Sequence, residues 1–289
     1  MTPDALDTLG SRIDDAFVVI GIAILLIELA EVLFKGDHKG RTLAEMLVSA
    51  STQIPYLVLQ TTLFTSAYVL YYILAEVAQP WAIPLTWWGI ALAVIAADFT
   101  YYWEHRIAHQ VRLLWTQHAV HHSSRDYNII TGIRFGPLEG VWSLITHIPL
   151  IVLGFSPEMV FFGIIVVLAY QTWIHTELIG TLGWFDKVMN SPANHRVHHG
   201  CDDKYIDKNY GGITVIWDQL FGTYQAEEET PRYGLKRDFD SRNPFLVWFS
   251  ELPGLWRDIV NARSWGEAWR FMMRPPGWAP DQRSADGRK

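Results

Sequence analysis

The chain has 289 residues, of which half are hydrophobic and only 18% are charged. A soluble domain is about a quarter charged, so this composition favours a membrane protein. A net charge of −7 leaves no basic excess to neutralise phosphates, which argues against a nucleic-acid partner. A single cysteine, Cys201, excludes an internal disulfide, a cysteine-ligated iron–sulfur cluster and a zinc ribbon.

The amino-terminal region combines an acidic start with a long apolar run. Its first sixteen residues carry four aspartates against one arginine, the wrong charge for the start of a cleavable signal peptide. Because about 20 apolar residues span a bilayer, residues 16–34 are predicted to remain as a membrane anchor. Residues 46–77 are predicted to form a second span that tilts or kinks at Pro55.

Three further apolar segments complete the predicted membrane region. Residues 81–102 form a third predicted span, and residues 138–155 and 159–173 form a helical hairpin around a Gly-Phe-Ser-Pro-Glu link. The expected fold class is an all-α integral membrane protein with about four to five transmembrane or hairpin helices and a cytoplasmic helical cap. One structural domain is expected, with membrane helices at 1–103, a histidine-rich catalytic region at 104–226 that includes the hairpin at 138–173, and a tail at 227–289.

Lysines and arginines in the short loops predict the orientation. They follow the first span, the third span and the hairpin, whereas residues 79–84 between the second and third spans contain none. This bias predicts an outside amino terminus and a histidine region on the cytoplasmic side of an inner, plasma or endoplasmic-reticulum-type membrane. A hairpin that dips in and returns gives the same side. The basic residues are Lys35, Lys39, Arg41, Arg106, Arg112, Arg125, Arg134, Lys187, Arg196, Lys204 and Lys208.

The tail begins as a polar segment and then becomes rich in tryptophan and phenylalanine, with arginines interleaved. This composition predicts interfacial helices at the membrane surface. Ordinary packing against the histidine region is the alternative. Residues from 281 onward are expected to form a disordered end.

Nine of the 11 histidines lie in or beside the polar segments, and eight of them form three clusters. Their spacing is H-x-x-x-H once and H-x-x-H-H twice. Residues at i, i+3 and i+4 share one helix face, so each cluster directs its imidazoles to one point. Eight nitrogens exceed what one ion uses, which predicts two metal ions. Imidazole suits iron, zinc, copper and nickel alike.

Two common metal-site patterns are absent from the chain. Without H-E-x-x-H, a single-zinc hydrolase is disfavoured, and without Glu-x-x-His, so is a carboxylate-type di-iron bundle. The alternatives to an oxygenase are a membrane zinc hydrolase or metal transporter, and a non-catalytic scaffold. Histidines outside the spans disfavour transport.

The histidine series resembles that of the fatty acid hydroxylase and sterol desaturase superfamily of membrane di-iron oxygenases. The similarity covers about residues 97–225 and includes His-His-Ser-Ser-Arg-Asp-Tyr-Asn, Asn-His-Arg-Val-His-His-Gly and Ile-Trp-Asp-Gln-Leu-Phe-Gly-Thr-Tyr. Trp-Ile-His-Thr-Glu, Ile-Asp-Lys-Asn-Tyr and Pro-Pro-Gly-Trp-Ala-Pro are most similar to the alkylglycerol monooxygenase branch. That branch attacks the ether-linked carbon of glyceryl ethers and uses tetrahydrobiopterin.

The resemblance implies two iron ions (Fe²⁺/Fe³⁺), O2 as co-substrate and hydroxylation or desaturation of a lipid. Ether-lipid cleavage, fatty acyl or aminolipid hydroxylation and sterol or hopanoid desaturation remain open. No nucleotide-binding or haem motif occurs, so the electrons must come from a ferredoxin, a cytochrome-type partner or a reduced pterin such as tetrahydrobiopterin. The implied ligands are His105, His109, His118, His121, His122, His195, His198 and His199, with His175 as a ninth.

Metal-bound imidazoles need partners for their second ring nitrogen, and Asp98, Asp207 and Asn209 are predicted to fill that role. His147 is predicted to pack between helices or line a substrate channel, and His38 to be an exposed loop residue. Seven further residues stand beside the clusters or the expected substrate entry. Glu104, Glu177 and Cys201 are expected to be bystanders, and Tyr101, Tyr102, Trp103 and Trp173 are expected to line the entry.

Overall fold

The computed structural model describes residues 1–35 and 39–280, without the side chains of residues 35 and 39–41. His38 and the predicted disordered end lie outside these residues. Within them the chain forms α-helices and short 3₁₀-helices at residues 129–133, 171–173 and 185–187, and no β-strand. The α-helices are α1 (Pro3–Lys35), α2 (Lys39–Ala78), α3 (Trp87–Gln110), α4 (Arg112–His122), α5 (Glu139–Thr146), α6 (Ile148–Val152), α7 (Pro157–Tyr170), α8 (Pro192–His198), α9 (Ile216–Phe221), α10 (Pro244–Trp248), α11 (Leu252–Val260) and α12 (Trp265–Met273).

Helices α1 and α2 are long and apolar enough to cross a membrane, over Pro3–Phe34 and Thr42–Ala78. Only 17% and 11% of the residues in their most apolar stretches are buried inside the protein. A core helix of a soluble protein would bury most of such a stretch, since large exposed apolar surfaces mark contact with a lipid or a partner. The two helices therefore place the chain in a membrane, and the prediction of the first two spans agrees with their positions.

The third predicted span is displaced along the chain. Helix α3 begins at Trp87 rather than at residue 81, because Pro84 interrupts the segment and the Thr86 hydroxyl caps the helix by accepting from the Gly89 amide. The Trp81 indole instead donates to the Leu153 carbonyl at 3.0 Å. At its other end α3 continues without a break across residues 103 and 104, where the membrane helices were expected to give way to the catalytic region.

The hairpin differs from the single pair of helices that the sequence predicts. Its first arm is divided into α5 and α6 at His147, because Pro149 has no amide hydrogen with which to continue α5. The apolar arms Glu139–Val152 and Pro157–Trp173 are both shorter than the roughly 20 residues that cross a bilayer. Their length favours a hairpin that enters and returns, and the number of crossings remains a prediction.

Helix α7 lies at the centre of the membrane region and packs against both α1 and α3. Gly163 permits the close approach to α3, because a Cβ atom there would lie 2.7 Å from the Ala97 Cβ. Leu6, Tyr71 and Met159 are fully buried in the surrounding core. This packing fixes α3, and hence its histidines, relative to the hairpin.

The tail forms the three helices α10, α11 and α12, which pack on α4 and α2. Val247 is buried with Val48 and Val120, so part of the tail packs against the histidine region. The outer faces are apolar as well, and Trp265 is 93% exposed. The predicted location of these outer faces at the membrane surface remains a prediction.

Arg134 forms a buried ion pair with Glu45 at 3.1 Å and ties α2 to the end of α4. The change Arg134→Met should destabilise the protein by about 3–5 kcal/mol, because it leaves the Glu45 carboxylate buried without a partner. The double variant Arg134→Met/Glu45→Leu should recover most of that loss, since neither charge then remains. Thermal unfolding in detergent measures both, and equal losses in the single and double variants would contradict this account.

Candidate metal centre

The predicted histidines lie on α3, α4 and α8 and on two short turns. Val111 adopts an extended conformation between α3 and α4, so that α4 folds back against α3. The Ser191 hydroxyl caps α8 by accepting from the Asn194 amide at 3.4 Å. His199 follows the last residue of α8, and His175 follows a 3₁₀-helix. Local backbone rules thus bring the three clusters from distant parts of the sequence to one place.

The nine histidines form two groups, and within each group the potential ligand atoms all lie within 4.8 Å of one another. Every one of the nine side chains is buried. Each sequence cluster contributes to both groups, except the pair on α3. The first group is His105, His109, His118, His122 and His198, and the second is His121, His175, His195 and His199.

Within each group, ring nitrogens lie so close together that their lone pairs would repel each other unless a hydrogen atom or a cation lay between them. In the first group the Nε2 atoms of His105 and His118 are 3.0 Å apart. In the second the Nε2 atom of His175 lies 2.8 Å from that of His195 and 3.3 Å from that of His121. One hydrogen can bridge one such pair, but several nitrogens facing one point require a cation to bind them together.

Four buried ring nitrogens have no hydrogen-bond partner among the described residues: His109 Nε2, His195 Nδ1, His198 Nε2 and His199 Nε2. Buried polar atoms are normally satisfied, because leaving one unpaired costs about 1–3 kcal/mol. Two of these atoms belong to each group. Bound metal ions would satisfy the three Nε2 atoms, of which His199 Nε2 lies in the second group, so the residues present fit a metal in both groups.

The imidazoles are also in the protonation state that binds metals. Burial lowers the pKa of His175 to about 4 and that of His198 to about 3. Burial, reinforced by the neighbouring imidazoles, lowers the pKa of His105 and His199 well below the usual value. These rings are neutral at pH 7, as a metal ligand must be. The burial and protonation state of these histidines therefore fit a metal site.

The second ring nitrogen of several histidines is held by a backbone carbonyl oxygen. The pairs are His105 Nδ1 with Tyr210 at 3.0 Å, His121 Nδ1 with Arg134 at 3.3 Å, His175 Nδ1 with Gln171 at 3.3 Å and His198 Nδ1 with Lys208 at 2.9 Å. Each acceptor leaves Nε2 to point into the group. Such contacts fix the ring orientation and the tautomer of a metal ligand.

The loop that supplies two of these carbonyls depends on an unusual backbone. Asp207 and Asn209 have positive φ angles of 59° and 54°, a left-handed conformation that aspartate and asparagine tolerate better than most residues. The alternation places the Lys208 and Tyr210 carbonyls beside the histidines. Asp218 fixes the loop because its carboxylate accepts from the Tyr210 amide and from the next amide, both at 2.8 Å.

The three predicted partners of the ligand histidines have different roles. The Asp207 carboxylate lies 3.5 Å from His109 Nδ1. Asp98 instead accepts from the Trp217 indole at 2.9 Å and from two groups of the adjacent loop. The Asn209 amide donates to a carbonyl of α8 at 3.0 Å. The predicted direct contact with a histidine is not found for Asp98 or Asn209, because the Asp98 side chain bonds the loop at residues 213–217 and the Asn209 side chain bonds α8 and residue 225.

Glu139 contacts a ligand histidine although the sequence did not predict this contact. Its carboxylate lies 2.5 Å from His118 Nδ1 and accepts from the Gly136 amide at 3.2 Å. A carboxylate that orients a metal-binding imidazole is a frequent arrangement. The sequence did contain a signal for Glu139, since it is a lone acidic residue at the start of an apolar segment. An ionisable group in such a segment usually has a functional role.

The remaining candidates lie around the site without joining either group. Glu104 accepts from a threonine of α5 at 2.9 Å, and His147 donates from Nδ1 to a backbone carbonyl at 2.8 Å. Glu177 accepts from the Tyr233 hydroxyl at 3.1 Å. Cys201 is partly exposed. None of the four lies within the histidine groups.

A cavity of about 470 Å³ opens beside the two groups and extends between the membrane helices. It is lined by histidines of both groups and by apolar residues of α1, α2 and α7. Its volume lies in the usual range for binding sites of small molecules. The residues from the groups are His105, His118, His121 and His175, and the apolar ones include Val18, Ile22, Leu25, Phe64 and Leu168.

Only one of the four aromatic residues expected at this entry lines the cavity, namely Tyr101. Tyr102 stacks on Phe221 with ring centroids 5.4 Å apart, and Trp103 packs edge-on against the same ring at 5.0 Å. Trp173 packs away from the cavity as well. Residue 103 lies on nearly the opposite face of α3 from Tyr101, and residue 102 is turned from Tyr101 by roughly 100° toward Phe221.

Comparison with known proteins supports the same assignment. Residues 90–223 match the family model of the fatty acid hydroxylases. The chain is 37% identical to human alkylglycerol monooxygenase over 264 residues, which are 90% of this chain and 58% of that protein. The chain thus spans little more than half the length of this relative.

Two other relatives are more distant. Ornithine lipid hydroxylase OlsE from Rhizobium tropici is 35% identical over 137 residues, 47% of this chain and 41% of that protein. A Delta(7)-sterol 5(6)-desaturase of Gibberella zeae is 27% identical over 144 residues, 49% of this chain and 43% of that protein. No solved structure matches. Over its histidine region the chain is therefore similar to the fatty acid hydroxylase family.

Proposed function

We propose that the chain is a membrane di-iron oxygenase that hydroxylates or desaturates a C–H bond of a lipid, using O2 and electrons from an external donor. One observation carries this proposal. The cavity between the membrane helices is lined by histidines of both groups, including His118 and His175. A carbon atom of a bound lipid would therefore lie beside both candidate metal positions.

The histidines would hold one iron ion in each group. When bound, the iron pair would supply O2 activation and C–H oxidation, for which protein side chains have no equivalent. The chain itself orients the ligands through the backbone carbonyls and through Glu139. Its apolar cavity excludes water and positions the carbon to be oxidised.

The best-supported substrate is an ether lipid, because alkylglycerol monooxygenases match 90% of this chain in the human example. Hydroxylation of an aminolipid or acyl chain and desaturation of a sterol or hopanoid are the alternatives, and two more distant relatives are an ornithine lipid hydroxylase and a sterol desaturase. We further propose that a reduced pterin, a ferredoxin or a cytochrome-type protein delivers the electrons. The loop charges favour the cytoplasmic side for the metal centre.

The function is tested with iron-loaded protein in lipid nanodiscs, given a 1-O-alkylglycerol, a reduced pterin and ¹⁸O2. The expected result is a lipid product with one oxygen atom from ¹⁸O2, detected by mass spectrometry. Samples that lack O2 or the reductant serve as controls and should give none. Turnover that persists without O2 would contradict the proposal and favour a zinc hydrolase instead.

A further inference from the structure

Polarity changes along the wall of the cavity. On α2 the cavity is lined by Tyr56, Gln60 and Phe64, which are spaced four residues apart and therefore share one face of the helix. The three positions span roughly 12 Å along the helix axis. Along α2 the lining thus passes from the Tyr56 hydroxyl and the Gln60 amide, on successive turns, to the Phe64 ring on the next turn.

The Gln60 side chain lies against α5 at the level of the histidines. A Cβ atom at Gly140 would lie 2.0 Å from Gln60 Oε1, so the absence of a side chain at Gly140 makes room for the amide. The preceding residue, Glu139, contacts His118. Among the described residues the Gln60 amide has no hydrogen-bond partner, so its donors and its acceptor remain available to a ligand inside the cavity.

The charge of the lining restricts which ligand fits. The cavity is bordered by two carboxyl groups, Glu104 and Glu139, and none of its described lining residues is a lysine or an arginine. Glu139 is engaged with His118, whereas Glu104 lies next to the ligand position His105. A phosphate or carboxylate headgroup would be buried here without a cation, which is costly. A hydroxyl group, in contrast, both donates and accepts hydrogen bonds.

We propose that Tyr56, Gln60 and Glu104 form the binding site for an uncharged, hydroxyl-bearing lipid headgroup. The alkyl chain then extends toward Val18 and Phe64. This inference rests on the proposed function and adds an orientation to it. The headgroup lies inside the cavity beside the histidines, so the carbons next to the headgroup are the ones oxidised, whereas the far end of the chain remains among the membrane helices.

Binding measurements on the zinc-loaded protein in detergent test the proposal without any turnover. The probes share a sixteen-carbon chain and differ in headgroup: 1-O-hexadecylglycerol, palmitate and hexadecyl phosphate. The neutral diol should bind at least about tenfold more tightly than either anion. Gln60→Leu and Gly140→Ala should each weaken diol binding about tenfold, the effect of one lost hydrogen bond in a buried site.

Thr65→Val is the matched control on α2, because Thr65 is exposed and bonds only the preceding turn. It should bind the diol as the unaltered protein does. Glu104→Gln should reduce the preference for the diol over the anions. Unfolding temperature and zinc content report whether each variant folds. If Glu104→Gln does not fold, Gln60→Leu still tests the headgroup site.

Equal binding of the three probes, or unchanged diol binding in both Gln60→Leu and Gly140→Ala, would overturn the headgroup site. Failure of the proposed function has a different signature. In that case the iron-loaded protein would oxidise no lipid with O2, while the zinc-loaded protein kept its preference for the diol. If turnover occurs, oxidation near the end of the alkyl chain would contradict the proposed orientation.

Discussion

His109→Ala and His199→Ala should each abolish product formation, although they remove one imidazole from different groups. His109 belongs to the first group and His199 to the second, and both present an unpaired buried Nε2 atom to the group. If each group holds one iron, each variant should retain about one of two ions per chain. Activity should fall more than about a hundredfold, because losing even a group that only orients a ligand costs 10–100-fold.

His147→Gln is the matched control for these variants. This histidine is also fully buried, but it lies between α5 and α6 and belongs to neither group. It should retain two ions per chain. Metal analysis of anaerobically purified, iron-loaded protein measures all three variants. Loss of both ions in every histidine variant, His147→Gln included, would indicate general unfolding and contradict the assignment of two separate groups.

Glu139→Gln should lower activity or iron affinity about 10–100-fold without unfolding the protein. The carboxylate faces His118 Nδ1 at 2.5 Å, and a neutral amide is a weaker acceptor that also permits the wrong ring orientation. Iron binding by titration and initial rates with a lipid substrate measure the effect. Glu177→Gln is the control, because that carboxylate bonds only Tyr233 at the surface.

An identical result for Glu139→Gln and Glu177→Gln would show that the contact with His118 has no functional role. A large drop in unfolding temperature for Glu139→Gln alone would assign it a structural role instead. The expected signature lies between these outcomes, with near-normal stability and weakened iron binding.

The histidine clusters could be predicted from sequence because helical spacing alone makes them converge. The i, i+3 and i+4 positions fix which rings share a face, and the resemblance added His175. Which histidine joins which group could not be predicted from the sequence. His121 and His122, for example, are neighbours in sequence yet belong to different groups. That separation depends on how α4 packs between α3 and the turn that carries His175.

The contacts around the histidines were harder to predict for a different reason. The Tyr210 and Lys208 carbonyls reach the rings only because Asp207 and Asn209 adopt left-handed backbone conformations, and a sequence pattern does not encode carbonyl directions. Glu139 lies 21 residues from His118 within a segment assigned to the membrane, so only the folded hairpin brings the two together.

The membrane segments were predicted where apolar length was decisive and missed where a proline acted locally. Residues 16–34 and 46–77 fall within α1 and α2. The predicted start of the third span and the predicted continuity of the first hairpin arm were wrong, because Pro84 lies in the non-helical segment before α3 and Pro149 follows the end of α5.

The two histidine groups should bind two metal ions side by side, next to a lipid cavity. Anaerobic titration of metal-depleted protein with ferrous iron, followed by X-ray absorption, tests it most directly. Zinc must be excluded throughout, because it binds nitrogen sites more tightly than ferrous iron. We expect two irons per chain in nitrogen-rich coordination. Saturation at one iron per chain would contradict a metal ion in each histidine group.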